Sequence, residues 1–230
     1  MRRTILLPAL ALVGGLALGT LLGGGLFSAS QGLNGGTRSS ITVAQAVTSS
    51  ASAVPTAPPL DTGDNDILLE RSESALELLK AEDYAGLSAL IHPEKGLTLT
   101  PFSTVSAEYD RTLSSQEVSV LSEDEETYVW GVMDGSGMPI RSTCDAYFDR
   151  FVFNADYTQA PQIGVDTIHP SGNALENVAA AFPDGRFVEY HFPGLDPQME
   201  GYDWCSLKVV FEAYNNQWYL VGLIHSQWTI

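Results

Sequence analysis

The C-terminal part of the chain contains the pattern that most limits its fold. Apolar and polar residues alternate over Cys205 to Tyr214 and again over Gln217 to His225, as they do in strands with one buried face. Asn215-Asn216 lies between these two runs, and asparagine tolerates the positive φ of a two-residue hairpin turn. A third strand is predicted over Arg186 to Phe192. The C-terminus is therefore predicted to form an antiparallel sheet.

The turn also predicts which residues lie opposite each other in this hairpin, because a two-residue loop leaves one register. One face of the hairpin should be entirely apolar and buried, and the other should be a mixed face that is partly covered or lines a cleft. The expected cross-strand pairs are Ala213–Trp218, Phe211–Leu220, Val209–Gly222 and Leu207–Ile224 on the apolar face, and Ser206–His225 and Lys208–Leu223 on the mixed face.

Apolar residues at helical spacing predict two helices at the start of the folded part. The first runs from Asp66, a potential N-cap, to about Lys80; the second begins after Asp83 and ends before Pro93. A shorter hairpin is predicted further on, with its turn at 134–137. The fold class is therefore α+β, with an N-terminal helix pair packed on an antiparallel sheet in one domain over 66–230.

The N-terminus has the pattern of a hydrophobic leader. Arg2 and Arg3 precede an uncharged run from Thr4 to Phe27, which as a helix would span about 36 Å and could cross a bilayer core of about 30 Å. Because the positive flank stays inside, everything after the run should be extracytoplasmic. Residues 1–27 are either a cleavable signal peptide or a single-pass membrane anchor, and the sequence leaves both open.

Three glycines recur at every fourth position of this run. Gly15, Gly19 and Gly23 would share one face of a helix, where small residues let a second helix approach closely. If the leader is retained, this spacing predicts a homodimer contact within the membrane. The alternative is that glycine is simply common in export signals.

Residues 28–65 are predicted to be a disordered linker, because Ser, Thr, Ala, Pro and Gly dominate and little apolar surface is available for burial. All 28 acidic residues fall at or after Asp61, against eight basic ones, because three of the 11 Lys and Arg residues precede it. This acidic balance excludes a nucleic-acid binder that works through a basic face.

Histidines and carboxylates of the predicted strands are the candidates for catalysis. His225 would be the base of such a site, with Glu189 or Glu212 nearby, and His191 would share the mixed face if the third strand pairs suitably. The other reading is that each histidine makes one hydrogen bond at a sheet edge or on the surface, and our hypothesis for His225 is a structural role. The histidine spacings are not those of a metal site, and no cofactor is expected.

Aromatic and cationic residues around the hairpin are the candidates for ligand binding. Trp204 and Trp228 flank the hairpin strands and could form a carbohydrate or peptide platform, and Lys208 lies on the mixed face. Cys144 and Cys205 are the only cysteines, and outside the cytoplasm they could form a disulfide. The other reading is two buried free thiols, because each lies on a predicted apolar face.

Several segments resemble an uncharacterised family of extracytoplasmic proteins from Gram-positive bacteria, over roughly residues 70–230. The resemblance implies an extracytoplasmic location but no mechanism, and Cys205 stands where that family is expected to have a basic residue. The segments that carry it are His92-Pro93-Glu94-Lys95-Gly96, Val129-Trp130-Gly131, 134–140, Asp203-Trp204-Cys205-Ser206-Leu207 and 218–230.

The order of elements also resembles nuclear-transport-factor-two-like and ketosteroid-isomerase-like domains, in which paired helices precede a curved antiparallel meander. This resemblance implies a cone-like sheet that can hold a pocket. It is a likeness of fold alone and assigns no residue a role.

The function predicted from these features is that of a non-enzymatic cell-envelope domain that binds a small molecule, a peptide or a wall component. The alternative is a hydrolase or isomerase with a His/carboxylate site in a cone-like pocket. An enzyme should have such a pair within hydrogen-bond reach at a cavity, whereas a binding domain should have an apolar cleft without one. A partner-docking domain should instead have a filled cone and an exposed apolar patch.

Overall fold

The computed structural model describes residues 62–169 and 175–229, which belong to a compact unit over Pro55–Ile230. The predicted leader over 1–27, its three glycines and most of the predicted linker lie outside the described residues. In the part of the chain that is described, no helix is both long and apolar enough to cross a membrane.

The described residues form an α+β fold, as the sequence predicts. The helices are α1 (Thr62–Lys80), α2 (Tyr84–Ser88), α3 (Ser115–Ser119), α4 (Cys144–Tyr147) and α5 (Val178–Ala181). The strands are β1 (Leu97–Thr100), β2 (Arg111–Leu113), β3 (Tyr128–Val132), β4 (Pro139–Ser142), β5 (Gln162–Val165), β6 (Gly185–Phe192), β7 (Cys205–Tyr214) and β8 (Gln217–Gln227).

Six of the strands form one sheet in the order β2-β1-β8-β7-β6-β5, which is antiparallel except where β1 runs parallel to β8. The strands β3 and β4 form a separate hairpin. The sheet therefore continues the predicted C-terminal meander, with β1 and β2 from the start of the domain added along β8.

The helix pair begins earlier than predicted. The first helix starts at Thr62, so Asp66 lies inside it and is not its cap. Asp83 does cap α2, because its side chain accepts a hydrogen bond from the backbone N–H of Gly86 at 2.8 Å. The polar residues before Asp66 thus extend α1 rather than the linker.

The hairpin register is as predicted near the turn but not beyond it. Asn215 and Asn216 both have positive φ, and the pairs Ala213–Trp218 and Phe211–Leu220 form as expected. A β-bulge then adds one residue, Val221, to β8. Such a bulge moves every following side chain of its strand to the other face.

The bulge overturns the predicted pairs nearer the strand ends. Leu207 lies opposite His225 rather than Ile224, and Ser206 lies opposite Ser226 rather than His225. His225 therefore belongs to the apolar face, and Ile224 lies opposite Lys208 on the mixed face. No turn signal marks this bulge in the sequence, because the glycine that follows Val221 is also compatible with a regular strand.

The apolar face of the sheet is filled by large aromatic side chains beneath α1 and α4. Trp130 stacks on Tyr147, with ring centroids 4.6 Å apart, and the hydroxyls of Tyr190 and Ser72 are 2.6 Å apart, linking β6 to α1. The largest fully buried aromatic residues are Trp130, Tyr147, Phe151, Tyr157 and Tyr190. Over the described residues, this side of the sheet is a packed core.

Candidate functional site

The mixed face of the sheet carries a buried cluster of charged and polar side chains, called here the polar cluster. At its centre is Lys208, which is fully buried. Its Nζ lies 2.7 Å from Oε2 of Glu176 and 3.1 Å from Oε1 of Glu189, and it donates to the hydroxyl of Ser226 at 3.3 Å. These two carboxylate oxygens have no described hydrogen-bond partner, so their described stabilisation comes from the ion pairs with the Lys208 ammonium.

Two histidines extend the polar cluster toward Trp204. The second oxygen of Glu189 accepts the backbone N–H of His169 at 2.6 Å and lies 3.1 Å from its Nδ1. His191 Nδ1 lies 2.7 Å from the Ser206 hydroxyl, and the two imidazole rings stack with an interplanar angle of 1°. Burial lowers the pKa of His191, which favours the neutral ring.

The structure brings together four of the sequence-predicted site residues. Glu189 pairs directly with Lys208 between β6 and β7, and His191 lies next along the same face. Trp204 borders the cluster, with its ring centroid 6.0 Å from that of His191, and is itself buried. The Trp204 ring is therefore a wall of the polar cluster rather than an open platform.

His225 and Glu212 do not join this cluster, contrary to the predicted base and carboxylate. His225 lies on the opposite face, where Nδ1 donates to the carbonyl oxygen of Pro101 at 3.0 Å and Nε2 is buried with no described partner. Complete burial lowers its pKa to about 4. Glu212 forms an ion pair with Lys95 near the hairpin turn.

The polar cluster contains groups that could act in hydrolysis, but its centre is buried. Ser206, Lys208 and Glu189 are fully buried, whereas the side chains of His169 and Glu176 are 15% and 14% exposed. Within the described ranges no group of three or more His, Cys, Asp or Glu residues could hold a metal ion. Removing one partner of a buried ion pair of this kind is strongly destabilising.

A groove of about 570 Å³ opens on the surface beside the polar cluster. Its walls are the loop after β1 and the turn of the β3–β4 hairpin. The lining combines apolar side chains with several hydroxyls and one carboxylate, and includes Phe102, Ser103, Thr104, Ser106, Tyr109, Val132, Met133, Asp134, Leu175 and Thr229. No His, Cys, Lys or Arg occurs among these described residues.

The groove depends on the close approach of its two walls and on the polar cluster. Gly131 has φ +137°, and a Cβ there would lie 2.9 Å from Cγ of Pro101 in the opposite wall. Ser103 in the lining donates a hydrogen bond to Ser226 at 2.9 Å, and Leu175 directly precedes Glu176. Lys208 therefore helps to position two groove-lining residues indirectly. It acts on Ser103 through Ser226 and on Leu175 through Glu176.

Sequence reasoning did not assign His169, Glu176 or the groove-lining loop to a site. His169 and Glu176 enter the polar cluster from the segment between β5 and β6, which is distant in sequence from Lys208. The pairing of β5 with β6 brings them in, and β5 carries no clear strand pattern. Trp228 is exposed, as a binding residue should be, and its ring packs edge-on against Tyr202.

The two cysteines are free thiols in the structure and form no disulfide. Both are buried in the apolar core, but Cys144 lies near the charged groups of Arg111 and Asp124, whereas Cys205 contacts Tyr157. Burial raises the pKa of both thiols, that of Cys144 to about 12. This matches the second reading of the sequence rather than the bridge.

We expect both thiols to be protected in the folded chain and both to react after unfolding. A buried thiol with a raised pKa has little thiolate at pH 8, so a disulfide reagent should label the native chain only slowly. In denaturant without reductant, thiol counting should give two groups per chain. A count of zero under those conditions would show that the cysteines form a disulfide.

Comparisons with known proteins give structural likeness only. No protein-family model and no curated protein matches the chain. A domain of unknown function with a cystatin-like fold from Nostoc punctiforme is similar with a TM-score of 0.35 and 10% identity over 74% of this chain and 81% of that one. An NTF2-like protein of unknown function from Shewanella baltica gives 0.31 and 7%, over 73% and 96%.

A Mycobacterium tuberculosis protein crystallised in complex with estradiol-17beta-hemisuccinate is also similar, with a TM-score of 0.24 and 16% identity over 69% of this chain and 91% of that one. TM-scores in this range carry no argument about a site. The α+β assignment therefore rests on the elements and strand order described above.

Proposed function

We propose that this chain is a non-enzymatic cell-envelope protein that displays one acidic ligand-binding domain outside the membrane. The N-terminal leader and linker, as predicted from the sequence, would either anchor the domain or export it. The ligand would be a small molecule, a peptide or a wall component that occupies the surface groove.

The composition of the groove lining is the observation that supports this proposal. Phe102, Val132 and Met133 offer apolar contact. The Thr104 hydroxyl donates to the carbonyl oxygen of Leu175 at 2.6 Å and can still accept a hydrogen bond from a ligand. Ligand sites in proteins typically combine an apolar lining with a few polar groups in this way. The groove suits a neutral or cationic ligand with an apolar body, because its one charged lining residue is Asp134 among those described.

Ligand binding is favoured over hydrolysis or isomerisation because the His/carboxylate pair and the groove lie at different places in the molecule. The only described histidine and carboxylate within hydrogen-bond reach of each other are His169 and Glu189, and the Glu189 carboxylate is fully buried in the polar cluster. Catalysis would need such groups to reach a reacting atom in a cavity. Asp134 is the one carboxylate of the described groove lining and no histidine lines the groove with it, whereas the His169–Glu189 pair lies outside that lining.

A substitution that fills the groove tests this function. We expect Thr104→Trp to abolish the rise in melting temperature that a ligand causes, because the indole would occupy the groove. The measurement is a thermal-shift screen of wall fragments, sugars, peptides and lipids. A ligand at 100 times its dissociation constant should stabilise the native chain by about 2.7 kcal/mol.

Thr127→Trp is the matched control, since it adds the same ring at an exposed position that does not line the groove. The control should keep the ligand response of the natural chain. If Thr104→Trp responds as strongly as Thr127→Trp, the ligand binds elsewhere and the groove is not the site. If no compound class raises the melting temperature, the proposal fails.

A further inference from the structure

A second exposed surface lies at the loop between β6 and β7, beside the end of β8. Four large apolar side chains from the loop before β7 and from the chain end after β8 form what is called here the aromatic patch. Its members are Leu195, Met199, Tyr202 and Trp228, which are 48%, 49%, 59% and 38% exposed. The rings of Tyr202 and Trp228 meet edge-on with centroids 5.4 Å apart.

The loop that carries the aromatic patch is held in one conformation. Oδ2 of Asp203 accepts the backbone N–H groups of Leu195 at 3.1 Å and Asp196 at 2.6 Å. The N–H of Tyr202 donates to the carbonyl oxygen of Met199 at 2.8 Å, and Trp204 is buried directly after the loop. A preformed surface loses less conformational entropy on binding than a flexible one.

The charges around the aromatic patch are negative. Asp196 and Glu200 are exposed on the same loop, and the sequence has no Lys or Arg from 187 to 207. From Asp61 on, the chain carries 28 acidic residues against eight basic ones. A partner of complementary charge would be steered to this surface, and a partner of like charge would be repelled.

The negative charge around the aromatic patch decides which kind of partner could bind there. A second copy of this chain would bring the same negative surface, and an anionic membrane would be repelled as well. Tyr and Trp are the residues that most often anchor protein interfaces. We propose that the aromatic patch docks a basic amphipathic peptide segment of a partner protein, independently of the groove.

The test uses the full chain in nanodiscs of zwitterionic lipid and a fluorescently labelled amphipathic peptide of lysine and leucine. Fluorescence anisotropy should show saturable binding that weakens with added salt, after subtraction of empty nanodiscs. Two comparison peptides, with glutamate for lysine and with serine for leucine, should each bind at least tenfold more weakly, because the surface requires both basic charge and apolar side chains.

Substitutions should separate the aromatic and acidic contributions. Tyr202→Ala with Trp228→Ala should weaken binding at least tenfold, whereas Val120→Ala with Ile163→Ala, which truncates exposed apolar residues elsewhere, should leave it unchanged. Asp196→Asn with Glu200→Gln should weaken binding by about threefold and reduce its salt dependence. Glu123→Gln with Glu125→Gln, the control of equal charge change, should have a smaller effect.

A groove variant tests whether the aromatic patch binds the peptide independently of the groove. Thr104→Trp should leave peptide binding unchanged, even if it removes every response to groove ligands. Equal binding of the three peptides, or full binding by the Tyr202→Ala, Trp228→Ala variant, would overturn the proposal. Binding of the chain to anionic vesicles in preference to the lysine–leucine peptide would contradict it as well, because the occupant would then be a lipid surface.

Discussion

Replacement of Lys208 by methionine is expected to lower the free energy of unfolding by about 3–5 kcal/mol, because removing one partner of a buried ion pair leaves an uncompensated charge. Methionine keeps most of the apolar stem of lysine, so the loss reports on the ammonium group. Without it, the carboxylates of Glu176 and Glu189 would face each other, and the oxygens now turned to Lys208 have no described hydrogen-bond donor.

The measurement is urea unfolding of the Pro55–Ile230 unit at pH 7. Lys80→Met is the matched control: Lys80 forms an exposed ion pair with Asp156 at 2.9 Å, and an exposed pair contributes roughly 0–1 kcal/mol. Adding Glu176→Gln and Glu189→Gln to Lys208→Met should restore part of the lost stability. A loss no larger than that of the control would mean that Lys208 is not the buried ion-pair partner of these two carboxylates.

The second large effect is a loss of stability between about pH 6.5 and pH 4 that originates at His225. Burial lowers the pKa of His225 to about 4 from an ordinary value of 6.5. Between these two values the unfolded chain binds a proton that the folded chain does not, so stability falls as the pH falls. The full difference corresponds to about 3 kcal/mol and is complete below about pH 4.

Comparison with His225→Asn isolates this contribution. The asparagine amide can still donate to the carbonyl oxygen of Pro101, but it does not titrate. We expect the unfolding free energy of the natural chain to decrease more steeply from pH 7 to pH 4 than that of the variant. His191 contributes in the same direction, since burial lowers its pKa as well, but it is present in both chains. Parallel pH profiles would show that His225 is not buried as described.

Both effects bear on function, since the polar cluster and the histidine lie behind the groove walls. Lys208 contacts Ser226, whose hydroxyl accepts a hydrogen bond from Ser103 in the groove lining. His225 is bonded to the carbonyl of Pro101, at the start of the groove loop. If the groove binds a ligand as proposed, buried charges and a buried imidazole position its walls.

The features of the fold that the sequence predicts correctly are those with a local sequence pattern. Asn215-Asn216 predicts the hairpin because few residues other than glycine accept the backbone angles of such a turn. The Asp83 cap and the alternation within β6 to β8 are local in the same sense. The α+β class follows from the order of these elements, and the structure confirms it.

The site was less predictable because its geometry depends on contacts between distant residues. Glu189, His191 and Lys208 follow from strand alternation, since they need only share one face of paired strands. His169 and Glu176 come from a segment without clear periodicity. The single additional residue Val221 then turns His225 to the apolar face, and nothing in the local sequence distinguishes that bulge from a continuous strand.

The most direct test of binding without chemistry is an NMR titration of the isotope-labelled Pro55–Ile230 unit with a ligand identified by the thermal-shift screen. We predict that resonances of groove residues such as Thr104, Met133 and Asp134 shift on titration, and that the spectrum of the ligand stays unchanged over hours. Shifts confined to His169, Glu189 and Lys208, together with new resonances of a reaction product, would contradict the proposal and identify the polar cluster as an active site.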